Sequence, residues 1–199
     1  MVTFTFWQIA CFAGLGLAFV LLPLWAIRRI ASSIPPACSA PGYRSGVGGM
    51  LLAVIAVLIA EALAELFLLG RSAGEAARVM AMDSQYIWPA FKTLIPDLTS
   101  SIFLIAAVVL LTFVRSSSAL YGAVVCAWLG GPLVSALRLT YLGVPITVTS
   151  EPSAYVLLTA VISLYLLFAV RPALTYGTRA GRELEARWKA EALARTHVR

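Results

Sequence analysis

The chain has 199 residues, of which 61% are hydrophobic and 12% charged, against roughly 25% charged in a soluble domain. That excludes a large water-soluble domain and implies one membrane-embedded unit. The net charge of +6 does not imply a nucleic-acid partner, because Arg28, Arg29, Arg44, Arg115 and the Lys/Arg residues from Arg171 to Arg199 flank apolar runs, as topology-setting charges do.

A membrane span needs roughly 20 apolar residues, and five stretches qualify or come close. The first runs from about Phe4 to Ile27 and stops at Arg28-Arg29. It lacks a basic leading region and a small-residue cleavage site, so it is expected to be retained as a span and not cleaved as a signal peptide. The second is Gly48–Leu69, the third Leu98–Val114, the fourth Ala119–Leu142 and the fifth Ser153–Val170. Between the second and third, Arg71–Asp97 is the longest connection. Its Ser72–Met82 part has helical composition, followed by Tyr86, Trp88 and Phe91 around Pro89, an aromatic cluster suited to a membrane–water boundary or to a lid. Within the fourth span, Gly130-Gly131-Pro132 is expected to bend or open the helix, and the freed carbonyls need partners from neighbouring helices or water. The tail Arg179–Arg199 reads as a basic amphipathic helix, with Leu184, Trp188 and Ala192 on one side and Glu183 paired to Arg187. It suits the anionic inner leaflet or a partner protein.

These elements divide the chain into an N-terminal span (1–30), a four-span bundle (46–176) and a basic tail (177–199). The connections after the first and third spans, together with the tail, carry eleven Lys/Arg, against three on the other side. Basic loops stay inside. The expectation is therefore an all-α inner-membrane protein of five transmembrane helices, N-terminus outside and C-terminus in the cytoplasm.

The most informative residues interrupt the apolar runs. Glu61 and Glu65 lie four apart on one face of the second span, in its outer half, and charges there are costly and usually functional or paired. Arg138, near the outer end of the fourth span, has a depth like that of Glu65. We expect a Glu65–Arg138 ion pair and a neutral, deeper Glu61. The carboxyls either tie helices together or meet a polar patch on a partner subunit, or Glu61 handles a proton or cation beside a polar cavity. Ala53, Ala56, Ala60 and Ala64 let another helix approach the second span closely. Gly14, Gly16, Gly130 and Gly131 are candidate counterparts.

Enzyme patterns are missing. The only histidine, His197, lies in the tail, so no Ser-His-acid triad is available in the bundle, and neither a phosphate-cradling glycine loop after a strand nor an HExxH motif occurs. Three widely spaced cysteines, Cys11, Cys38 and Cys126, do not make a disulfide framework or a zinc site. No catalytic residue, cofactor or metal ligand is therefore expected. The expected role is a non-catalytic subunit binding other membrane proteins or itself. The alternative is a small carrier or channel for a proton, cation or lipid using Glu61 and Glu65.

Two further segments carry a resemblance. Gly46-Val47-Gly48-Gly49-Met50-Leu51 enters the second span, and Tyr165, Arg171, Thr175 and Tyr176 leave the fifth. Their spacing resembles a bacterial family of four-span inner-membrane proteins designated "domain of unknown function 2569", with Met50 where that family has Trp, Leu164 for Pro, Ala169 for Ser and Pro172 for Val. The resemblance covers residues from Gly46 onward and leaves the first span as an addition. It implies the four-span architecture and no catalytic residue. Physically, Tyr165, Arg171 and Tyr176 with Thr175 are expected to form an interfacial anchor.

Overall fold

The computed structural model describes residues 22–23, 25–82, 84–141 and 151–197. The described residues are helical wherever they are regular. Residues 25–33 form α1, followed by α2 (Met50–Met82), a 3-10 turn (Ser84–Tyr86), α3 (Ile87–Phe113), α4 (Ser117–Trp128), a π turn (Leu129–Leu133), α5 (Val134–Tyr141), α6 (Glu151–Phe168), α7 (Val170–Tyr176) and α8 (Arg179–His197). Three helical stretches are long and apolar enough to cross a membrane: Met50–Ala81, Ile87–Phe113 and Ser117–Arg138. The pair α6–α7, bent by 65°, could make a fourth. Five spans are therefore not what the described residues display. Most of the expected first span, Phe4–Ile27, lies outside them.

In the connection Arg71–Asp97 the helical composition of Ser72–Met82 does yield helix, but as a continuation of the second span and not as a separate surface element. Helix α2 continues without a break through Ser72–Met82 to a length of 33 residues, about 50 Å at 1.5 Å per residue, against a hydrocarbon core of about 30 Å. Helix α3 starts at Ile87 and runs through Pro96. Apart from Gly74, the segment Ala73–Met82 holds mostly good helix formers and no proline, so an established helix can continue through it. The two helices form the most extensive contact among the described residues, a hairpin longer than a bilayer core that extends beyond its apolar stretch at the Met82 end. We call that end distal. The opposite end, where α1, the 34–49 segment, α7 and α8 gather, is proximal.

The core is built from one face of each long helix: Leu51, Ile55 and Leu58 of α2, Leu104, Ala107 and Leu111 of α3, Leu120, Ala123 and Ala127 of α4, and Ile162 and Leu166 of α6. Alanine at 107, 123 and 127 lets the axes approach. The opposite faces remain apolar: Phe67, Leu157 and Phe168 are 74%, 68% and 78% exposed. In water such a surface would aggregate, whereas hydrocarbon chains cover it without cost.

Two prolines shape the later helices. Pro132 supplies no N–H, and its ring crowds the carbonyl four residues back. The backbone widens into the π turn, and Ser135 Oγ donates to the Gly131 carbonyl at 2.9 Å while Ser100 Oγ of α3 donates to that of Gly130. A Cβ at position 130 would meet Leu104, Phe103 and the Ser100 carbonyl at 3.1 Å, so glycine is what allows α3 this close. Pro172 acts in the same way on the carbonyl of Phe168. Helix α6 ends there, Ala169 is extended (φ −76°, ψ 143°), and α7 sets off in a new direction. Helix α7 ends on Gly177 in the left-handed region (φ 61°), where the Thr178 amide donates to the Ala173 carbonyl at 3.1 Å, a helix-terminating turn that glycine favours.

Candidate functional site

Helices α2 and α3 run antiparallel. Glu65 lies roughly 22 Å from the Met50 end of α2 and Asp97 roughly 24 Å from the Phe113 end of α3, so the two reach one level. The continuation of α4 beyond the π turn brings Arg138 to the same place. Its Nη2 donates to Glu65 Oε2 at 2.8 Å and to Asp97 Oδ1 at 2.7 Å, and Ser72 Oγ of α2 donates to Asp97 Oδ2 at 2.8 Å. Both carboxylates are buried while Arg138 is about one-third exposed. One guanidinium therefore joins three helical elements. Arg138 Nε is buried without a hydrogen-bond acceptor among the described residues.

Asp97 is the member that sequence reading missed, since it was assigned to a solvent-side connection. Its signal was the start of an apolar run at Leu98 immediately after Pro96-Asp97, at the depth of Glu65. Glu61, one turn deeper on α2, is half-buried and has no hydrogen-bond or ion-pair partner among the described residues. Two carboxylates thus share one guanidinium, and a third carboxyl group lies one helical turn away from them. Beside Glu61, Ala60 and Ala64 are exposed.

Below the cluster a polar seam follows the π turn. Ser101 Oγ donates to the Asp97 carbonyl at 2.8 Å, Trp128 Nε1 donates to Ser163 Oγ at 3.0 Å, and Ser163 Oγ donates to the Thr159 carbonyl at 2.7 Å. It stops at the apolar layer of Leu104, Ala107 and Leu111.

The proximal end gathers the remaining singled-out residues. Arg171 Nε donates to the Gly46 carbonyl at 3.1 Å. The Gly46 amide donates to Thr175 Oγ1 at 2.9 Å, and that hydroxyl donates to the Arg171 carbonyl at 2.7 Å. A Cβ at Gly49 would come within 2.6 Å of Arg171 Nη1, and φ there is +53°. The two segments that carry the family resemblance therefore touch. They do not make one outward-facing anchor. Tyr165 and Arg171 are half-buried, whereas Thr175 and Tyr176 are fully buried because the bend at Ala169 turns α7 under the bundle. Tyr176 donates to the Leu111 carbonyl at 2.5 Å, and its ring lies 5.7 Å from the Arg115 guanidinium. Arg115 also donates to the carbonyls of Leu111 at 2.9 Å and Ala31 at 3.3 Å.

Helix α8 docks by its first half. Leu184 packs on Cys38, Ala40 and Leu174. Burial pushes the Cys38 thiol upward, and the neighbouring Glu185 adds to that shift. Lys189, bonded to Glu185 at 3.0 Å, holds that carboxyl below its ordinary range. Glu183 pairs with Arg179 at 2.9 Å and not with Arg187: the partner one turn toward the amino end competes for the same carboxylate.

Comparison with family models, curated proteins and solved structures gives no match, so the family resemblance rests on the quoted residues alone.

Proposed function

We propose that this protein is a non-catalytic integral-membrane accessory subunit that binds other membrane proteins, or a second copy of itself, through the Glu61 face of α2. The proximal end would lie in the cytoplasm of a bacterial inner membrane and the N-terminus on the far side. The observation that carries the reading is the contrast between Glu61 and its neighbours. Glu65 and Asp97 are satisfied by Arg138, whereas Glu61 has no hydrogen-bond or ion-pair partner among the described residues and stands next to the exposed Ala60 and Ala64. A carboxyl in hydrocarbon calls for a polar or cationic partner, and small residues beside it let another helix approach closely enough to supply one.

The test is co-purification from native membranes in mild detergent. A defined companion, or a defined oligomer, is expected with the natural chain, with weakened recovery for Glu61→Ala. A full yield of lone monomer would defeat the proposal. The polar seam under the cluster favours a second reading, in which Glu61 handles a proton or cation that enters from the distal side. That reading requires coupled flux in reconstituted vesicles that Glu61→Gln abolishes.

A further inference from the structure

At the proximal end a cleft of about 400 Å³ opens between the start of α4, the end of α6 and the start of α8, lined by Tyr121, Leu167, Thr178, Arg179, Ala180 and Glu183. We infer that this cleft is a binding site for a zwitterionic aminophospholipid of the phosphatidylethanolamine class. The inference rests on the proximal end lying at a bilayer boundary and not on the partner-binding reading.

Three features converge. The cleft carries both signs of charge within one ion pair, Arg179 Nε to Glu183 Oε1 at 2.9 Å, with the two side chains 91% and 53% exposed and so able to take further partners. A guanidinium suits a phosphate, and α8 begins at Arg179, so the positive end of a 19-residue helix lies beside it, although Thr178 already takes the Gly181 and Arg182 amides. The Glu183 carboxylate suits a primary ammonium. A headgroup with a phosphate and a primary amine matches this set. A glycerol headgroup offers no cation to Glu183, and a choline headgroup has no N–H to donate.

The apolar wall has the matching direction. Tyr121 and Leu167 are partly exposed, and one turn farther from the headgroup end Val125 of α4 and Leu164 of α6 are 55% and 58% exposed. The i, i+4 and i, i−3 spacings stack these residues on the same faces. Helices α4 and α6 are in contact, so the four side chains mark an apolar track along which an acyl chain can lie.

The test uses the full chain in nanodiscs of mixed phosphatidylethanolamine and phosphatidylglycerol, with lipid retained after detergent extraction weighed by native mass spectrometry. Retained lipid is expected to be enriched in phosphatidylethanolamine over the bulk. The exchange Arg179→Glu with Glu183→Arg keeps a helical i, i+4 ion pair but reverses its polarity, and should abolish the enrichment. Glu183→Gln alone should reduce it about fivefold, the scale of one charge contact at a membrane surface. Leu167→Trp, which fills the cleft, should do the same without touching a charge. Retained lipid matching the bulk, enrichment in phosphatidylglycerol, or phosphatidylethanolamine enrichment that survives the exchange would each overturn the assignment. Partner recovery in mild detergent is read separately, so either proposal can fail alone.

Discussion

Arg138 holds two carboxylates from two different helices through one nitrogen. Removing it strands both in a low-dielectric layer, and truncating one member of a buried ionic group costs about 3–5 kcal/mol. Arg138→Ala should therefore lower the melting temperature in detergent sharply. Adding Glu65→Gln and Asp97→Asn to a helix-compatible Arg138→Met should restore most of the loss, because the desolvation penalty goes with the charges. Additive losses across the three sites would dismiss the cluster as a unit. The chain itself makes the depth of Glu65 and Arg138 readable, since each interrupts an apolar run of known direction. Asp97 was not readable in that way. A carboxylate at the edge of an apolar run looks solvated until the partner helix is seen to extend past it.

At the scale of the element, proline and glycine positions decide the geometry. Gly130-Gly131-Pro132 advertises an opened helix, and the structure supplies the detail that Ser100 and Ser135 take up the two carbonyls. Gly130→Leu should force α3 away, since even a Cβ meets three atoms at 3.1 Å. Overpacking of this kind costs typically about 1–3 kcal/mol. The loss should appear as a lower melting temperature, with Gly122→Ala, whose Cβ meets only the Leu110 side chain at 3.3 Å, as the milder comparison. Sequence reading was weakest on helix length. Apolar content marks the stretch that suits hydrocarbon, but a helix of alanine, glutamate and arginine continues beyond that stretch unmarked, as α2 does past Gly70.

For the whole molecule, the last described helices, α7 and α8, lie at the same end as α1 and the 34–49 segment. The Ala37–Thr175, Cys38–Leu174 and Gly46–Thr175 hydrogen bonds join the 34–49 segment to α7, Arg115 reaches Ala31 of α1, and Leu184 of α8 packs on Cys38 and Leu174. Labelling of introduced cysteines in intact cells with a membrane-impermeant reagent checks this placement. Gly74→Cys, on an exposed stretch of α2 with open space around it, should react from outside. Leu193→Cys, 64% exposed on α8, should react only after permeabilisation. Equal reactivity of both in intact cells would remove the topology.

Read alone, the residues show that the chain is helical and apolar enough for several helices to cross a membrane, that basic residues gather around one set of connections, and that a few charges within apolar runs need explaining. Composition and period settle such matters because hydrocarbon tolerates no unpaired backbone and few charges. Helix packing is what makes α2 and α3 one overlong hairpin, lets Asp97 share Arg138 with Glu65, and turns α7 under the bundle to bury Thr175 and Tyr176. Each of these depends on which helix a residue meets, and pairing between segments far apart in the chain leaves no periodic trace in either one.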